Sequence, residues 1–572
     1  MAFADHVQKA TALVGRRFAD GLEASAVVVA AIVVLISLPL LSVLLIAIGP
    51  AESIWPHLLR NVLPQSIVTT LLLLAGTGLL ALVTGAGAAW IVTMYVFPGR
   101  GLIDRLLVLP LAMPTYIVAY CYVDLLDYTG AAQTTLRAVF GWTSARDYWF
   151  PDVRSLGGAI VILATVLYPY VYRSARASFV QQSVCALEVA RTLGRTPVGT
   201  LWSVALPLAR PALAAGVALV MMECLNDLGA VQYLGVETLS ASIYSTWLQR
   251  SSLAGAAQIA IVMLVFVAAL IFAERRARGD AKVHHTTGRY RSIPFHELTG
   301  LKGYVTAFIA MIPFVIGFII PFSVLARHTW HHWHHVASET FLRASVNSLV
   351  LASLAGVTCV GVALILAHAD RVTRHPLMSL AVRFTGLGYA LPGTVLAIGL
   401  MTPLAVFDNR LDALMRSVFG ISTGLLLSGS IAAMSLAYVV RFLAVALGAV
   451  ESGFQRISPN LDSAARALGE TAASTLWRVH VPLLVPAMGA AGLLVFVDTM
   501  KELPATLLMR PFNFETLATH VYGFAGLEQF EMAAPGALAI VIAGLVPVLL
   551  LHSAVAGGRA GGGSSGRTRR RI

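Results

Sequence analysis

A chain of 572 residues that is 58% hydrophobic and only 12% charged is not a soluble globular protein, because soluble domains carry about 25% charged residues. Its net charge of +12 is spread over many short loops, which argues against nucleic acid as a partner, since that partner calls for a concentrated basic patch. The four cysteines, Cys121, Cys185, Cys224 and Cys359, are far apart and mostly lie in apolar stretches, with neither metal-binding nor redox spacing.

The apolar residues come in blocks, and a bilayer core of about 30 Å needs roughly 20 helical residues to cross it. The blocks predict twelve spans, at 24–48, 66–96, 106–127, 157–180, 208–230, 255–273, 304–326, 346–369, 379–407, 422–447, 486–508 and 533–556. Block length favours helices, since barrel strands alternate over only about 10 residues. The first block is too long for the apolar stretch of a secretion signal and no small-residue cleavage site follows it. With a cytoplasmic N-terminus, Lys and Arg concentrate in the inner loops, as membrane proteins require. The segment 274–303 is richest, with Arg275, Arg276, Arg278, Lys282, Arg289, Arg291 and Lys302. The Gly-rich, basic tail 557–572 is then cytoplasmic as well.

Residues 190–211, ARTLGRTPVGTLWSVALPLARP, recur as 465–486, ARALGETAASTLWRVHVPLLVP, with twelve of 22 positions identical and no gap. Four spans precede each copy in its half and two follow. The chain thus divides into a first half 1–273, a linker 274–303 and a second half 304–556, a parallel duplication common among transporters. Each copy predicts a short helix, a turn at Gly194 or Gly469, and a second helix that a proline, Pro207 or Pro482, stops where the next span begins. Such a helix pair on the inner face suits a groove on another protein; an amphipathic helix lying on lipid is the plainer reading.

The repeat continues into charged positions: Glu223 faces Asp498, Asp227 faces Glu502, and Lys501 stands where the first half has Asn226. Glu223 lies about 24 Å along the helix from Pro207, past the midplane, where a charge costs roughly 2.5–3.5 kcal/mol. Three readings stay open for these five residues: a transient site for a hard cation with oxygen ligands, an outer gate in which Lys501 meets Glu223 or Asp227, or interfacial anchors. The outer stretch His328-Thr-Trp-His-His-Trp-His-His335 offers His331, His332, His334 and His335 as metal ligands, or an interfacial segment held by Trp330 and Trp333. Pro110, Pro114, Pro313, Pro321 and Pro392 fall within spans, Pro114 and Pro392 in corresponding third spans, where a matched bend is expected.

The pattern Glu188, Ala190, Gly194, Val204, Leu206 and Pro207 resembles the coupling-loop motif of binding-protein-dependent ABC importer permeases. The second copy carries Asp462, Ser463 in the glutamate position, Ala464, Ala465, Gly469, Val479, Val481 and Pro482. The resemblance implies a type I ABC importer permease fold, all-α, with two homologous six-helix halves. It further implies loops near 183–206 and 458–481 that dock into a cytoplasmic ATPase dimer, and an extracytoplasmic solute-binding protein on the outer face. The stretches 223–248 and 498–522 are similar to those of fused ferric-iron permeases; related permeases carry thiamine, polyamines or phosphonates. No GxxxxGK[ST] loop occurs, so ATP and Mg belong to the partner and the chain is no enzyme. The implied location is the bacterial inner membrane. An ion-coupled secondary transporter is the rival class.

Overall fold

Inside a bilayer every backbone N–H and C=O must find its partner within its own segment, which turns the apolar blocks into helices. The computed structural model describes residues 26–49, 55–181, 190, 192–278, 296–373 and 375–557. The basic linker residues 279–295, the tail 558–572 and the segment 182–189, with Cys185 and Glu188, lie outside the described residues. Among the described residues, ten helices are long and apolar enough to cross a membrane, or up to twelve if each of two bent pairs counts as one span.

The bent pairs are the third spans of the two halves: Arg100–Ala112 with Thr115–Phe140, at 94°, and Pro376–Ala390 with Gly393–Phe419, at 113°. Proline disfavours helical geometry in the residue before it. Met113 (φ −94°, ψ 124°) and Leu391 (φ −77°, ψ 122°) are accordingly extended, as are Pro114 and Pro392, with ψ of 139° and 141°. The matched bend expected at these prolines is therefore a full break.

Pro207 and Pro482, expected to stop their helices, do not. The helices Leu201–Asn226 and Ala472–Met500 run through them. A π turn ends two residues before each, at Leu201–Ala205 and Leu476–His480, and the same arrangement precedes Pro64 and Pro321. The wider turn accommodates a ring that would clash with the carbonyl four residues back in an α-helix. Other boundaries shift too: the fifth span ends at Asn226 rather than 230, the eleventh at Met500 rather than 508, and the tenth starts at Ile431 rather than 422.

The structure packs as two compact units, and neither is a sequence half. One unit comprises Ser53–Gly255, Ile259–Leu342 and His520–Ile572. The helices Leu63–Met94, Leu156–Gln181 and Leu206–Asn226 form its centre. Helices Gly300–His331 and Phe530–Leu550 complete it, and the Tyr122 hydroxyl donates to the Ile316 carbonyl at 2.6 Å. A two-residue parallel strand pair joins Tyr95–Val96 to His296–Glu297, where the linker ends.

The other unit comprises Met1–Glu52, Ala256–Gln258 and Arg343–Thr519. Its centre is Ile431–Phe454 against Val481–Met500, and the first described helix, Ala26–Ile48, joins it where the Pro39 backbone lies against Gly399.

Candidate functional site: two repeated turns and two capped breaks

Each copy of the repeated segment folds into the same turn. Gly194 has φ +76° and Gly469 φ +81°, the left-handed region that glycine enters without steric cost. The Arg195 N–H donates to the Ala190 carbonyl at 3.1 Å, and the Glu470 N–H to the Ala465 carbonyl at 3.0 Å, closing each helix in a glycine C-cap. Thr196 then accepts from the Gly199 N–H at 3.1 Å, and Thr471 from the Ser474 N–H at 3.2 Å, starting the next helix.

Exposure repeats as well. Ala190 and Ala465 are buried, while Leu193 and Leu468 are 77% and 84% exposed and Trp202 and Trp477 stand out beside them. Among the motif residues, Ala464 is exposed and Leu206 and Pro207 are half-buried, whereas Pro482 is exposed.

Asp462, expected among the coupling residues beside Ser463, turns inward. It is 8% exposed, with Oδ2 2.8 Å from Arg371 Nε and Oδ1 2.7 Å from His480 Nε2. Burial alone would raise its pKa; the hydrogen bonds from His480 and Arg371 overcome this and hold it below the usual carboxylate range. Its contribution to stability is thus present at neutral pH and lost as pH falls through that lowered value. Ser463 next to it is exposed.

The five charged residues after the repeat separate into two kinds. Asp227 and Glu502 are 8% and 5% exposed, and each caps the short helix that follows it. Asp227 Oδ1 accepts from the Ala230 N–H at 2.8 Å, and its other oxygen accepts from the Thr115 hydroxyl. Thr115 is the first residue after the break at Pro114, so this carboxylate joins the end of the fifth span to the broken third span.

Glu502 does the same in its own unit. It accepts from the Ala505 and Thr506 N–H groups at 3.0 Å each and from the Thr506 hydroxyl at 2.7 Å. Arg441 Nη1 lies 3.4 Å from Oε1. The equivalent helix start is Gly393, where a Cβ would stand 2.5 Å from Arg441 Nη1 and 2.9 Å from Glu502 Oε1. Gly393→Ala is therefore expected to cost about 1–3 kcal/mol by overpacking, read as a lowered thermal midpoint of the purified protein; an unchanged midpoint would contradict the close approach.

Glu223, Asp498 and Lys501 are only half-buried, and Lys501 Nζ pairs with Asp498 Oδ1 at 2.9 Å, one turn back on the same segment. Sequence reasoning missed Arg371, Arg441, His480 and Thr115. For Arg441 the signal existed: an arginine inside an apolar span marks a functional or paired position.

The histidine segment does not gather into a metal site. Among the described residues, no group of three or more His, Cys, Asp or Glu is placed to hold a metal. His331 and His332 donate through Nδ1 to the carbonyls of Arg327 and His328, at 2.8 and 3.1 Å. His332 and His335 stack with centroids 6.2 Å apart, and His334 lies against Trp333. His328 pairs with Asp124 at 2.9 Å. Trp330 and Trp333 are 81% and 60% exposed, as the interfacial reading asks.

Residues 81–277 match the family model of the binding-protein-dependent transport system inner membrane component. An Fe(3+)-transport system permease protein of Haemophilus influenzae is 25% identical over 537 residues, covering 91% of this chain and 97% of the relative. A sulfate transport system permease protein of Salmonella typhimurium is 31% identical over 201 residues, 33% of this chain and 67% of the relative. A molybdenum transport system permease protein of Escherichia coli is 25% identical over 221 residues, 37% and 93%. With its duplicated turns and its twofold set of broken spans, the chain belongs to the family of binding-protein-dependent transport system inner membrane components and resembles a ferric-iron permease along nearly its whole length.

Proposed function

We propose that this chain is the transmembrane passage of an ATP-driven importer that moves ferric iron from a periplasmic binding protein into the cytoplasm. The observation that carries the reading is the pair of matching glycine-closed turns at Gly194 and Gly469, each displaying an exposed leucine and tryptophan. On this reading both turns, with Glu188 in the first, face the cytoplasm, as do both termini in the bacterial inner membrane. They seat in the two subunits of a separate ATPase, which holds the ATP and Mg. The turns are what such a motor pushes.

The charge at the ends of the fifth and eleventh spans supports a cationic cargo. The acids there that cap no helix, Glu223 and Asp498, offer oxygen ligands, which ferric iron prefers. Glu223 and Asp498, half-buried, are the carboxylates assigned to line the passage, with Lys501 gating beside Asp498. Asp227 and Glu502 are assigned to hold the breaks in shape. Transport of an oxyanion, as the name of the sulfate relative indicates for that protein, fits carboxylates in the passage less well.

The test is uptake of radiolabelled ferric iron in an iron-limited strain lacking the gene, complemented with the intact chain. Uptake is expected to vanish when the ATPase partner is inactivated and to persist when ion gradients are dissipated with ATP maintained. Uptake that follows the ion gradient instead would move the protein to the secondary transporters.

A further inference from the structure

The two repeated turns share their geometry, and the second is fastened to the bundle by a cluster of buried charged groups. In the second, the guanidinium of Arg371, at the end of the helix Glu339–Thr373, gathers three pieces of chain. Nε bonds Asp462 Oδ2 on the helix Pro459–Ala467, Nη1 donates to the Phe454 carbonyl at 2.8 Å, and Nη2 to the Ile457 carbonyl at 3.0 Å. His480, fully buried where the eleventh span begins, takes the second oxygen of Asp462, and its Nδ1 lies 3.2 Å from His368 Nδ1. A cavity of about 80 Å³ adjoins, lined also by Val372, Arg466 and Thr475.

The first half has no counterpart to these groups at the matching positions. Matched contacts register the second spans: Thr70 Oγ1 accepts from the Leu239 N–H, and Ser348 Oγ from the Leu517 N–H. In that register Arg371 falls on Thr93 and His368 on Trp90; in the register of the repeat, His480 falls on Ala205, Asp462 on Leu187 and Phe454 on Phe179. There Trp90 packs edge-on against Phe179 with ring centroids 5.6 Å apart. Phe454, the equivalent ring, instead meets His480 at 5.1 Å and lies under Arg371 at 5.5 Å. The first half has its ionic tie higher on the helix Leu156–Gln181, where Arg176 pairs with Asp104 at 2.5 Å and the Tyr172 hydroxyl donates to the same carboxylate; in the second half the loop helix itself is held in a buried, three-way ionic clamp.

We propose that Arg371 and His480 are positioning residues that grip the second loop through Asp462, so that a displacement imposed on the helix Pro459–Ala467 passes directly into three spans. Hydrogen bonds of fixed direction transmit a displacement that an apolar contact absorbs by sliding. This rests on the reading of the repeated turns as docking sites for an ATPase.

The experiment uses the whole complex, purified through a tag on this chain with its ATPase and binding protein and placed in nanodiscs. The readouts are the amount of complex and the stimulation of ATP hydrolysis by the binding protein. Arg371→Met alone leaves Asp462 buried with only His480 against it, and is expected to lower the amount of complex. The double variant Arg371→Met/Asp462→Leu replaces the charged pair by apolar groups, which proteins often accept without loss of stability, and leaves His480 facing His368 and the Phe454 and Ile457 carbonyls without the guanidinium. It is expected to assemble in larger amount than Arg371→Met alone, yet lose about tenfold in stimulation. Assembly together with wild-type stimulation would reduce the clamp to a stabilising contact and overturn the proposal. Should the double variant not assemble, Asp462→Asn must show the loss of stimulation, and wild-type stimulation there overturns it equally. If the unaltered chain brings down no ATPase, the importer reading falls, and the clamp's role with it.

Discussion

Replacing Glu502 by alanine is expected to destabilise the protein by about 3–5 kcal/mol, the cost of stranding one partner of a buried ion pair. Three donors to Glu502, the Ala505 and Thr506 N–H groups and the Thr506 hydroxyl, lose their acceptor together. Arg441, 8% exposed, is left beside a cavity with its charge unanswered. Adding Arg441→Met should recover much of the loss, because the guanidinium rather than the missing cap dominates the penalty. Asp227→Ala should cost only about 0.5–2 kcal/mol, the range for a helix cap, since Asp227 is held by a hydroxyl and a backbone N–H. Thermal unfolding of the purified variants measures all three. Equal losses for Glu502→Ala and Asp227→Ala would show that Arg441 contributes nothing, and the ion pair would have to be abandoned as the source of the difference.

Gly469→Val and Gly194→Val are each expected to lower coupled transport about tenfold, since a left-handed backbone costs an L-residue roughly 1–2 kcal/mol and more when it is β-branched. The two sites are separate turns, so the double variant should lose about a hundredfold. A Cβ at either glycine meets nothing within 4 Å, which separates backbone strain from crowding within the chain. Asparagine, which tolerates the left-handed region, is therefore the control and should retain most of the activity. If asparagine fails as badly as valine, the open space in front of the glycine is what matters, filled by a partner that tolerates no side chain. Uptake assays with the ATPase and binding protein present decide between these outcomes. Full activity in Gly194→Val/Gly469→Val would remove the turns from the mechanism.

The apolar spans, ten to twelve among the described residues, were legible because a span is a property of a single segment: enough apolar residues in sequence demand a helix regardless of neighbours. The turns at Gly194 and Gly469 were legible for a similar reason, since a glycine after a short helical period signals a left-handed end. Pro114 and Pro392 announced their bends through the residue each restricts. Pro207 and Pro482 misled, because sequence gives no warning of a π turn upstream that lets the helix continue. Asp462 misled more deeply. Its exposure is decided by Arg371, 91 residues away, and no periodicity reports a pairing across that distance. The acids at 223–227 and 498–502 looked alike as charges in a span. Only the chain's course after each one shows that Asp227 and Glu502 cap helices while Asp498 pairs with Lys501.

The membership of the two packing units has a consequence for how the protein is made. Chains of several domains usually fold each domain as it emerges from the ribosome. Here one unit uses residues near 26–48 together with residues up to 519, and the other begins after residue 52 and needs the helix that starts at Phe530. The helix Ala26–Ile48 must therefore wait in the bilayer for neighbours synthesised several hundred residues later. A gene severed at the linker would yield two products, each parted from helices that complete its packing unit.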